Sequence, residues 1–179
     1  LFYRAMELAP TKTLVFINGD ILLPPMFGDV LTAVNQFSDK FLLLSHRYRK
    51  WVHHYIDFGK WDWFKAPWGS CEELDRQKDG RCIWGRDSSR AVDYFAFTRQ
   101  TYLGVDIKDF AVGRVAYDNW LVYHAALNNA TVVGATELLR VVHQNHDYSH
   151  LQKDVTHDHR KITGKSWELF HNPLSEYNR

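Results

Sequence analysis

Apolar and polar positions along this chain fall into blocks of different period. Thr13-Leu14-Val15-Phe16-Ile17 is a continuous apolar run, rich in β-branched and aromatic residues, and Asn18-Gly19-Asp20 stops it. That pattern predicts a buried strand delivering a carboxylate to its C-terminal end. Pro24-Pro25 then breaks the backbone, and Phe27, Val30, Leu31, Val34 and Phe37 recur at helical spacing, predicting an amphipathic helix over 26–37. Phe41 to Ser45 reads as a second buried strand. Strand, helix and strand in succession make a βαβ-like unit, which implies a parallel sheet covered by helices.

From Trp51 to Arg90 the periodicity collapses into a long aromatic-rich loop region, in which Glu72 to Lys78 predicts one short helix ended by Asp79-Gly80. Regularity returns with a strand over 91–98. Asp109 to Gly113 is a turn leading into a helix over 117–127, which Asn128-Asn129 stops. Ala130 to Gly134 has the composition of an edge strand. Thr136 is placed to cap a turn or helix running through Leu138, Leu139, Val141 and Val142. Residues 151–179 form a polar tail with little core material, leaving one domain whose core spans about 10–150. Leu1 to Ala9 resembles the end of a helix, so the chain is read as continuing upstream.

Composition changes this picture little. A chain of 179 residues with 45% hydrophobic and 24% charged content can bury a sizeable core. With net charge +1 and His46-Arg47-Tyr48-Arg49-Lys50 as its densest basic run, it lacks the stripe expected of a nucleic-acid partner. No apolar stretch is long enough to predict a membrane span. Seven Trp, nine Tyr and eleven Phe suit either a packed aromatic core or a surface that stacks on sugar rings. Cys71 and Cys82 suit either a disulfide loop or two separate thiols, and Asn129-Ala130-Thr131 matches the glycosylation sequon. A luminal compartment would accommodate both features; a cytoplasmic one would require neither.

Four groups of residues carry candidate chemistry. Asp20 lies at a strand end, where open α/β sheets bind ligands, and a carboxylate there suits a divalent cation; the simpler reading is a turn. His143, His146 and His150, spaced by three and four, would share a helical face and include a metal ligand, or would merely pack and hydrogen-bond. Asp118 stands in the first turn of a helix, either as a dipole-favoured carboxylate or as a general base. Asp93 in its apolar strand needs a partner, for which Arg90, Arg99 and Arg114 are available. Arg114 equally suits a phosphate. Trp120, next to Asp118, is read as core.

Taken in order, Phe16 to Leu23, Val92 to Phe97, Gly113 to Leu121 and His143 to His150 resemble the GT-A glycosyltransferases, more narrowly the glycosyltransferase-2-like proteins. The resemblance spans most of residues 10–150. It implies an α/β, partial GT-A-like fold with a mixed or parallel sheet flanked by helices. It also implies a metal-dependent, inverting glycosyltransferase moving a sugar from a nucleotide diphosphate to a hydroxyl or glycan acceptor. Asn18-Gly19-Asp20 takes the place of the D-x-D-like turn that holds Mn2+ or Mg2+ and diphosphate, with Asn18 standing where the first acid is usual. Asp93 lines the sugar pocket, and Asp118 activates the acceptor. His146, then His143, is the matching metal ligand. A nucleotide-binding β-α-β half has no counterpart before Leu14, so the resemblance makes this the C-terminal part of a larger catalytic domain.

Two other classes fit parts of the sequence. One is a carbohydrate-binding module in which Trp51, Trp61, Trp63 and Trp68 stack on glycan. The other is a metal-dependent hydrolase built on the histidine cluster.

Overall fold

The computed structural model describes residues 2–50, 55–58, 85–86, 92–110 and 117–145. These residues build two four-stranded sheets flanked by helices. The elements are α1 (Phe2–Leu8), β1 (Thr13–Ile17), β2 (Ile21–Leu22), α2 (Phe27–Phe37), β3 (Phe41–Leu44), β4 (Arg47–Lys50), β5 (Gly85–Arg86), β6 (Tyr94–Thr98), α3 (Tyr117–Leu127), β7 (Thr131–Gly134) and β8 (Val141–Gln144). A 3-10 turn, Arg99–Tyr102, follows β6.

The first sheet has the order β1-β6-β3-β7. β6 runs antiparallel to both β1 and β3, while β3 and β7 are parallel. The βαβ-like unit is therefore present, since β1 and β3 point the same way, but the two are not neighbours. The sheet is mixed rather than parallel because β6 from a distant segment inserts between them. Burial on both faces explains why β3 is apolar throughout and β6 is apolar up to its last residue, Thr98. Alternation along β6 sends Phe95 and Phe97 into a core with α3 and the α1 side chains Phe2 and Met6, and Tyr94 and Ala96 into a second core with α2.

Local signals set the helix ends. α2 buries Val34 and half-buries Phe27, Val30 and Leu31, but Phe37 in its last turn, which the helical spacing assigns to the apolar face, is 78% exposed. α3 ends in a Schellman motif. Ala130 N–H bonds to the Ala125 carbonyl and Asn129 N–H to the Ala126 carbonyl, each at 2.9 Å. Asn129 takes the left-handed conformation this requires, at φ 55°. Beyond β7, Ala135 to Leu138 is a turn, but Val141 and Val142 are strand, not helix: their side chains and β8's pairing with β2 and β4 bury them.

The second sheet, β2-β8-β4-β5, grows out of the first. β1 passes into β2 through Asn18-Gly19-Asp20, β3 into β4 through Ser45-His46, and β7 into β8 through residues 135–140. Three chain segments thus cross from one sheet to the other along a common seam. Among the described residues, no helix is long and apolar enough to cross a membrane.

Candidate functional site

The seam gathers side chains far apart in sequence. At the end of β1, Asn18 donates its backbone N–H to the Asp93 carbonyl and its Nδ2 to Asp93 Oδ1, both at 3.0 Å. Ile21 N–H closes the turn onto the Asn18 carbonyl at 3.2 Å, which turns Asp20 toward β8. There Gln144 N–H donates to the Asp20 carbonyl at 2.8 Å, and Asp20 Oδ2 lies 3.1 Å from His143 Nε2. His143 is almost fully buried, whereas the Asp20 side chain is 30% exposed.

Asp93, immediately before β6, is ion-paired with Arg47 from the start of β4. Arg99, one of the cations expected beside it, instead donates to the Met6 and Ala9 carbonyls at the end of α1, and Arg90 lies outside the described residues. With side chains 19% and 13% exposed, Arg47 and Asp93 would each carry a large desolvation penalty without the other.

The start of α3 completes the cluster. The Tyr117 ring packs against Phe16 and Phe95, with centroids 6.4 Å away in each case. Burial pushes its phenol pKa up, the charges of Asp118, Asp93 and Asp20 push it further, and a hydrogen bond with Asn18 opposes them. All three carboxylates therefore act on one hydroxyl. Burial raises the Asp118 pKa to about 6; the Asn119 backbone N–H, 2.8 Å from Oδ1, pulls it back, and the Asp93 charge adds to the rise. A half-buried carboxyl titrating there is ionised at neutral pH yet basic enough to accept a proton, which is what a general base needs.

Of the residues singled out from sequence, the fold thus brings together Asn18, Asp20, Asp93, Asp118 and His143. Arg114, His146, His150, both cysteines and Trp51, Trp61, Trp63 and Trp68 lie outside the described residues. His143 sits on a strand, so helical spacing does not relate it to its neighbours. Trp120 is core, 4% exposed and edge-on to Phe110. Sequence reading misses Arg47 and Tyr117. Arg47 lies in a basic run with no local sign of a buried partner, and the Tyr-Asp start of α3 draws attention only to its aspartate.

Cation binding has limited support from these side chains. Among the described residues no group of three or more His, Cys, Asp or Glu is arranged to hold a metal. Asp20 and His143 offer two donor atoms of suitable chemistry 3.1 Å apart. Neighbouring ligands of an octahedral ion with bonds of about 2.1 Å stand roughly 3 Å from each other, so the spacing fits.

The chain is an α/β protein with mixed sheets and a polar seam between them. Comparison with protein-family models, curated proteins and solved structures gives no match.

Proposed function

We propose that this chain carries the catalytic site of a metal-assisted glycosyltransferase that moves a sugar from a nucleoside diphosphate to an acceptor hydroxyl with inversion. One observation carries the reading: Asn18, Asp20, Asp93, Asp118 and His143, from segments that the resemblance to GT-A enzymes marks out, meet at a single seam.

Asp20 and His143 would hold a cation of the Mn2+ or Mg2+ type, the donor's diphosphate oxygens supplying further ligands. When bound, the cation neutralises charge developing on the departing diphosphate. Asp118 takes the proton from the acceptor hydroxyl as its oxygen attacks the anomeric carbon and the bond to diphosphate breaks on the opposite face. Asn18 fixes the turn and, with Arg47, holds Asp93 oriented beside the sugar position. Asp93 also raises the basicity of Asp118.

Turnover of uridine and guanosine diphosphate sugars, read as release of the nucleoside diphosphate, tests this. The full natural chain should turn over one class in manganese, and Asp118→Asn should slow it by about 10²–10⁴-fold with donor binding unchanged. Equal turnover by a folded Asp118→Asn variant would overturn the assignment.

A further inference from the structure

Beside Tyr117 the described residues form a partly open cavity of about 180 Å3. Its walls are the side chains of Phe2, Tyr3, Ile107, Phe110 and Tyr117, with Lys108 and Asp109 beside them. The polar end of Tyr3 is engaged: its hydroxyl donates to the Val105 carbonyl and accepts from Ile107 N–H at 2.8 Å. What Tyr3 has left for the cavity is its ring surface.

The core holds these walls in place. Phe2 packs on Phe16 at 5.1 Å and Phe97 at 5.6 Å between centroids, and Phe110 on Trp120 at 4.9 Å. A cavity walled by rigid aromatics is preformed, so filling it requires little reordering. Its volume suits a single six-membered ring, since an apolar cavity of about 150 Å3 takes benzene. A sugar ring would set most of its hydroxyls against the rings of Phe2, Tyr3, Phe110 and Tyr117, with Lys108 and Asp109 as the charged neighbours, whereas an aromatic or alicyclic ring needs no such partners.

We infer that this cavity is a binding site for a single apolar six-membered ring, and that Tyr117 forms the partition between that ring and the carboxylate seam. The ring belongs to the acceptor: a hydroxyl linked to it by a short arm passes the edge of Tyr117 toward Asp118, the next residue. That assignment to the acceptor rests on the transferase reading; the cavity's preference for an apolar ring does not.

Benzyl alcohol and methyl β-D-glucopyranoside, titrated separately into the full natural chain without nucleotide or metal, test the inference. The readouts are the Ile107 methyl resonances and the affinity of the chain and its Ile107→Leu and Ile107→Trp variants. Benzyl alcohol should bind and shift the Ile107 methyls. Ile107→Leu should bind within about threefold of the native chain, and Ile107→Trp, which fills the space, at least tenfold more weakly; the glucoside should leave the methyls unmoved. Absence of benzyl alcohol binding, binding that leaves the methyls unmoved, or glucoside binding at Ile107 would each overturn the inference. A chain that binds benzyl alcohol here but no nucleoside diphosphate keeps the cavity and loses the transferase reading.

Discussion

Arg47 and Asp93, 46 residues apart, form an ion pair at the junction of the two sheets, with side chains 19% and 13% exposed. The pair joins the first residue of β4 to the residue that precedes β6, and Asn18 ties the same carboxylate to the end of β1. Three strands from two sheets are therefore fastened at one carboxyl group.

Breaking this pair from either side should be costly. Arg47→Met leaves a carboxylate with its guanidinium partner gone, and Asp93→Asn takes the Asp93 charge away from the guanidinium; each should lower unfolding free energy by about 2–4 kcal/mol. The double variant should lose clearly less than the sum, with a coupling of about 1 kcal/mol or more. Urea denaturation of the four proteins measures it, and additive losses would show that the contact contributes nothing.

Asp118 gives the stability of the chain a definite pH dependence. Its carboxyl has a folded pKa of about 6 against an ordinary value of 3.8, so the folded state binds its proton more tightly than the unfolded state does. Its favourable contribution is complete below 3.8 and lost as pH rises through about 6. Asp118→Asn should accordingly gain stability relative to the native chain between pH 4 and pH 7. A tenfold difference in proton affinity corresponds to about 1.4 kcal/mol, and solvent screening of a partly exposed carboxyl reduces the effect, so the gain should be about 1–2 kcal/mol. Denaturation curves at pH 4 and pH 8 check the sign. Catalysis should move the opposite way in the native chain, rising with pH through about 6 as the base ionises.

At the other end of the seam, Tyr117→Phe should keep the packing on Phe16 and Phe95 and lose only the hydroxyl. A stability loss of about 1 kcal/mol is expected. A loss of about 3 kcal/mol or more in thermal unfolding would mean that the hydroxyl, not the ring, anchors α3.

Asn129 supplies a test confined to the fold. At φ 55° it is a residue where glycine should be tolerated and a β-branched side chain should not. Asn129→Gly should fall within about 0.5 kcal/mol of the native chain and Asn129→Val should lose about 1–2 kcal/mol. Similar stability for the two would remove the Schellman cap from the account.

Much of this architecture is legible in the chain because its signals are local. The apolar runs at 13–17 and 41–44, the helical spacing of 27–34 and the Asn-Asn stop after Leu127 all depend on neighbours in sequence. What is not legible depends on partners far away. Nothing near Thr13 or Phe41 says that the strand at 94–98 will slide between theirs and run the other way. Val141 and Val142 follow a capping threonine and would suit a helix equally well, until β2 and β4 supply strand partners on both sides. Asp20, Asp93 and Asp118 stand out individually as carboxylates at element ends. Their meeting at Tyr117, and the pairing of Asp93 with Arg47, are decided by the seam between sheets.

The central claim is that Asp20 and His143 form a cation-dependent seat for a nucleoside diphosphate, and calorimetric titration tests it most directly. Uridine and guanosine diphosphates should be titrated into the full natural chain with and without manganese, then into the Asp20→Ala and His143→Ala variants. One of the two nucleotides should bind only with manganese, with each variant weakening it by at least tenfold while remaining folded. Absence of binding by the folded chain, or binding indifferent to manganese and to both side chains, would contradict the account.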